Sequence, residues 1–209
     1  MTDPKSYPAQ LSIDYSEKLD RLTSFFRVFV AIPIWIILIL LVGMAWNSAS
    51  DNGANWSYSG FGIVVLPLIL MILFKKKYPR WWYDWNLNFT KFSTRVGAYF
   101  LLLTDKYPST DEEQLVHIDI PYPDSQKDLK RGMPLVKWFL AIPHWIVLAF
   151  LGIATYIVTI IAWFAILFTG RFPRGLFDFV LGVMRWGFRV MCYAMIMITD
   201  KYPPFALDT

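Results

Sequence analysis

The sequence predicts an all-α integral membrane protein: two tandem repeats, each a transmembrane helical hairpin plus an amphipathic interfacial helix, with short β lead-ins. Three observations carry that prediction. The 209 residues are 56% hydrophobic and only 17% charged, far more apolar than an ordinary soluble domain. Runs without a charge extend over Val28–Trp46, Trp56–Phe74 and Trp138–Gly170, and a bilayer core needs about 20 helical residues to cross. Several words also recur in order along the chain.

RVFVAIPIW (Arg27–Trp35) returns as KWFLAIPHW (Lys137–Trp145), 110 residues later. KYPRWWYDW (Lys77–Trp85) returns as RFPRGLFDF (Arg171–Phe179), and RVGAY (Arg95–Tyr99) as RVMCY (Arg189–Tyr193), both 94 residues later. TDKYP at Thr104–Pro108 returns at Thr199–Pro203, displaced by 95. Collinear words at near-constant offsets point to an internal duplication, with repeats at 1–110 and 111–209. The drop from 110 to 94 places sixteen extra residues between the two apolar helices of the first copy, where the polar NSASDNGANWSYSG lies.

The lead-ins AQLSIDY (Ala9–Tyr15) and QLVHIDIPY (Gln114–Tyr122) alternate apolar and polar residues, which predicts short strands that pair with each other. In the first copy, spans are predicted at about 28–46 and 57–74. The first is read as retained rather than as a cleaved leader, because 27 residues of mixed charge precede it. The run Trp138–Gly170 would be roughly 50 Å long as one helix, against ~30 Å of hydrocarbon. It is therefore expected to fold back at Gly152–Thr155, giving spans at about 136–151 and 154–169. Pro33 and Pro143 are expected to kink the first helix of each hairpin.

The third helix of each copy is expected over about 80–103 and 175–198. Trp81, Trp85, Phe89, Phe92, Val96, Tyr99 and Leu103 step by three or four along one face, and Asp84, Asn88, Lys91 and Arg95 along another. Such a helix suits the headgroup region, although whether it lies there or spans stays open. Basic residues (Lys75, Lys76, Lys77, Arg80; Arg171, Arg174) follow the hairpins, and positive residues favour the cytoplasm. The expectation is a multi-pass protein with four spans and both termini cytoplasmic, with an inverted repeat of three spans per copy as the rival.

Candidate contact residues for lipid or partner are Arg95, Arg189, Lys91, Arg185, Trp81 and Trp85, since arginine forks suit phosphate and tryptophans suit the interface. The competing reading is that this polar stripe makes links with the protein's own segments. Asp84 and Asp178 are expected as helix-start carboxylates favoured by the dipole. Asp105 and Asp200 are expected to pair with Arg or Lys of the other copy, within a TDKYP word that ends its helix at Pro. One cysteine, Cys192, excludes an internal disulfide, and His117 and His144 make no evident metal pair. There is no phosphate-cradling glycine loop, nucleophile elbow or metal-ligand cluster, so no catalytic, cofactor or metal site is expected.

The words AIPxW and TDKYP, with the basic Pro-Arg turn and the RVxxY word between them, resemble a family of bacterial integral membrane proteins known only as a domain of unknown function, found singly or in tandem. The resemblance covers nearly the whole chain and implies a bacterial inner-membrane location. Abundant interfacial residues without a reactive constellation then predict a non-catalytic accessory or scaffold subunit, contacting membrane lipids and a larger membrane protein complex. No nucleic acid partner is expected. The alternatives are a small channel or transporter formed by the paired hairpins, and, less favoured by the residues, a lipid-modifying enzyme.

Overall fold

The computed structural model describes residues 7–34, 79–109, 114–123, 129–130 and 132–208. The span expected at 57–74, residues 35–46 of the first span and the polar insert between them lie outside the described residues. Helix accounts for 63% of what is described, so the described residues are mostly helical, with one two-stranded sheet among them.

Strands β1 (Gln10–Ile13) and β2 (Val116–Asp119) pair antiparallel, with Gln10 opposite Asp119, Ser12 opposite His117 and Ile13 opposite Val116. The two lead-ins thus meet each other. Alternation turns Leu11, Ile13 and Val116 inward and leaves Ser12 and His117 exposed. An isolated two-stranded ribbon is marginal in water. This one is held because its inner residues join the same core as Val180 and Leu181.

Helix α1 (Arg21–Val30) starts at Asp20, whose carboxylate accepts the Leu22 N–H at 3.0 Å. Helix α2 (Arg80–Phe100) follows Pro79, helix α3 (Met133–Thr169) has Pro134 in its first turn, and helix α4 (Arg174–Met191) follows Pro173. A proline fits a helix start because the amide it lacks would have no partner there. Helix α4 passes into a π-helical turn at Cys192–Ile196. Five residues separate Tyr193 from Thr199, and four separate Tyr99 from Thr104. A turn of the i→i+5 pattern takes one residue more than an α turn, and this one lies where the offset between the recurring words grows from 94 to 95. Both segments then turn at a left-handed residue, Leu102 (φ 64°) and Met197 (φ 59°).

The expected hairpin within Trp138–Gly170 does not form. Helix α3 runs unbroken through Gly152–Thr155, about 55 Å at 1.5 Å per residue. A single glycine costs only about 1 kcal/mol inside a helix, and a Cβ at Gly152 would meet nothing. The chain reverses later, at Gly170–Pro173: Gly170 adopts φ 73° and its N–H returns to the Ile166 carbonyl at 2.7 Å. Helix α4 comes back along α3, so that Trp138 Nε1 donates to the Ala194 carbonyl at 2.9 Å. Pro143 lies inside α3 without ending it, and Pro33 likewise sits in helical backbone, at 32–34, one turn residue after α1 ends at Val30.

Helix α4 sits at the centre, with Phe177, Val180 and Phe188 packed against Leu103, Ile166 and Phe172. Among the described residues, two helical segments are long and apolar enough to cross a membrane, Met133–Thr169 and Arg174–Ile196, and they differ in one respect. Of their most apolar windows, 61% is buried in the second and 11% in the first. Helix α4 with its π turn is a core element. Helix α3 is not, since Phe139, Ile146, Phe150, Ile153 and Phe168 project outward.

Candidate functional site

Two buried ion pairs sit where the TDKYP words meet the starts of α1 and α3. Arg27 of α1 is 3% exposed; Nη2 pairs with Asp105, Nη1 donates to the Tyr99 carbonyl, and Cζ lies 4.4 Å from the Tyr99 ring centroid. Lys137 of α3 is fully buried; Nζ lies 2.8 Å from Asp200 Oδ1, donates to the Thr199 carbonyl at 2.8 Å, and stands 5.2 Å from the Tyr193 ring. The second oxygen of each acid takes a backbone amide just before the helix that supplies the cation: Asp20 N to Asp105 at 2.6 Å, Lys130 N to Asp200 at 2.7 Å. Thr104 and Thr199 each accept the N–H two residues on, from Lys106 and Lys201. Burial pushes the Asp105 carboxyl up, and the Asp20 amide and Arg27 guanidinium oppose that.

Asp105 and Asp200 were expected to pair across the two halves of the sequence. Each instead pairs within its own half. The lead-ins do cross between halves. Arg80 and Tyr83 at the start of α2 pack on Tyr122 after β2, while Arg174 and Phe177 at the start of α4 pack on Tyr15 after β1. The sequence reading missed Arg27 and Lys137 as partners, although both open the recurring words RVFVAIPIW and KWFLAIPHW at the same place. A charge at the head of each apolar run was the available signal.

The other singled-out residues fall into three settings. Arg95 and Arg189 are only 6% and 3% exposed. Arg95 donates to the Ser109 carbonyl at 2.9 Å, and Arg189 to those of Asp208, at 3.0 Å, and Ala206. Arg185 Nε donates to the Leu11 carbonyl of β1 at 2.9 Å, and Lys91 is half-buried. These arginine contacts are the internal links weighed against headgroup binding. Trp81 and Trp85 are exposed, at 66% and 44%, in a run of rings in which Trp82 stacks on Trp85 and Trp85 on Phe89. Asp84 and Asp178 are exposed and lie at the fifth position of their helices, beyond the first turn. The dipole effect fades within that turn, so the helix-start role is not theirs.

His144 is fully buried, accepts the Trp186 Nε1–H at Nδ1 at 3.0 Å, and stacks on Phe205 at 3.9 Å. His117 is exposed and lies 3.1 Å from Asp14. Among the described residues, no group of three His, Cys, Asp or Glu is placed to hold a metal ion. With the geometry in place, the comparisons add one finding. A family model with the description Domain of unknown function (DUF4389) matches residues 133–206, which takes in α3, α4 and the second TDKYP word. No curated protein and no solved structure matches the chain.

Proposed function

We propose that this chain is a membrane-embedded, non-catalytic accessory or scaffold subunit of a bacterial inner-membrane assembly, built as two tandem repeats about a pseudo-two-fold axis through the β1–β2 pair. The observation that carries the membrane part is the exposed apolar length of α3, which in water would leave a large hydrophobic face uncovered. Support for the duplication comes from contacts at matching offsets: Arg27–Asp105 with Lys137–Asp200, Arg80–Tyr122 with Arg174–Tyr15, Leu102 with Met197. The non-catalytic part follows from how the charges are used. Arg27, Lys137, Arg95 and Arg189 each direct donors to the chain's own acceptors. The surface left for partners and lipids is aromatic and apolar, on α3 and at Trp81 and Trp85 of α2.

An arrangement with both termini cytoplasmic requires a hairpin within Trp138–Gly170, and α3 is unbroken there. Two measurements test the reading. The protein should remain in the membrane fraction after an alkaline carbonate wash, and recovery in the supernatant would overturn the membrane location. Purified in gentle detergent, it should bring a stoichiometric membrane protein partner, lost in a Trp81→Gln, Trp85→Gln variant that melts like the parent. A monodisperse, partner-free protein would oppose the accessory role.

A further inference from the structure

Where α1, the end of α2 and the C-terminal half of α3 meet, they enclose a pocket of about 230 Å³. Its walls include Phe100, Leu102, Ile160 and Trp163, together with the buried Ser24 and Arg27. Ser24 Oγ and Arg27 Nε are buried, and neither has a hydrogen-bond partner among the described residues. Ser24 is otherwise tied down, because its carbonyl accepts Trp163 Nε1–H at 3.1 Å. A buried donor without a partner costs roughly 1–3 kcal/mol. Two of them lining one apolar pocket call for an acceptor oxygen. From these groups we infer that the pocket binds an uncharged carbonyl oxygen at the head of an apolar chain, with a monoacylglycerol as the fitting lipid.

The absence of charge follows from Arg27, whose guanidinium is already matched by Asp105. A carboxylate or phosphate head would bring a second anion beside that buried pair. An ester or ketone oxygen accepts from Nε–H and Oγ–H without adding charge. Thr159 Oγ1 also lines the pocket and donates to the Thr155 carbonyl at 2.8 Å, which leaves its lone pairs for a glycerol hydroxyl. Tyr156 and Ile160, which line the pocket, are both exposed on the apolar side of α3, which gives it an opening there. A chain can therefore enter from lipid, and for that source the inference rests on the membrane reading above. The volume is below the roughly 300–1,000 Å³ of sites that enclose a whole drug-sized ligand. It takes one head or one chain end, with the rest left outside.

The test uses the full chain in nanodiscs of saturated phosphatidylcholine, titrated with a photoreactive 1-acylglycerol whose crosslinks are mapped by peptide mass spectrometry. Saturable labelling is expected between Tyr156 and Trp163, displaced by 1-oleoylglycerol and at least tenfold less well by oleate or octadecane. Ser24→Ala should weaken competition about fivefold, in line with one lost hydrogen bond. Ile160→Trp, which fills the opening from an exposed position, should abolish saturable labelling at an unchanged melting temperature. A long-chain quinone displacing the probe better than the glyceride would keep the carbonyl chemistry and change its source. Oleate competing equally would replace it with an anion site. Octadecane competing equally, or labelling unaffected by Ile160→Trp, would overturn the site. Non-saturable labelling spread along α3 would leave the membrane reading standing and the pocket refuted, whereas failure to enter nanodiscs would refute the membrane reading itself.

Discussion

Lys137 and Asp200 show how a residue's chemistry was legible while its partner was not. TDKYP was expected to end its helix at Pro, yet both helical segments end earlier, at Phe100 and Ile196, where Leu102 and Met197 turn left-handed; that its acid holds a buried cation requires the start of α3 to be brought beside it. Removing one member of a buried pair leaves the other charge without compensation, at about 3–5 kcal/mol, while replacing both by apolar groups is far milder. Asp200→Leu should therefore lower the denaturation midpoint sharply, and Lys137→Met added to it should restore part of the loss. A double variant less stable than the single would contradict the pairing. Tyr7 gives the second prediction of this kind. Its hydroxyl donates to the Lys201 carbonyl at 3.2 Å, and burial raises its phenol well above the usual 10.0. With the folded value raised, its contribution is fully present below pH 10 and is lost as pH rises beyond it toward the folded value. Stability measured against pH should fall above pH 10, and Tyr7→Phe should flatten that fall.

Among the elements, α3 separates what periodicity and length can say from what they cannot. The run of apolar residues was correctly read as helical, and its break was not, because a lone glycine is compatible with both a turn and an uninterrupted helix. Gly152→Ala distinguishes them. In a continuous helix with open space at that Cβ, alanine should stabilise by up to about 1 kcal/mol. A loss of stability would restore the turn. Gly182 behaves oppositely, for a reason invisible in the sequence. A Cβ there would come within 2.9 Å of Leu207 Cβ and 3.2 Å of its carbonyl, where the C-terminal tail crosses α4. Gly182→Ala should destabilise by about 1–3 kcal/mol despite its better helix propensity, as read by thermal unfolding.

For the molecule as a whole, the pairing of the two lead-ins is one tie between halves of the chain, beside the packing of α1 on α3, and it offers a direct check. Ser12 and His117 are opposite each other and exposed. Facing residues of an antiparallel pair lie about 4.5–5.5 Å apart at Cα, within disulfide range. Ser12→Cys with His117→Cys should oxidise to an intramolecular crosslink without loss of fold, while Ser12→Cys with Val116→Cys, one residue out of register, should not. Composition, recurring words and alternation were enough to state that the chain is largely helical, that it is apolar enough to contain membrane-spanning lengths, and that its two lead-ins are strands that pair. Those properties depend on local sequence and on counting. Which acid meets which cation, where the long apolar run reverses, and whether Arg95 and Arg189 face lipid or the chain's own carbonyls depend on groups far apart in sequence being packed together. Desolvation makes that difference: once buried, a charge must take whatever partner the fold supplies, and only the tertiary structure names it.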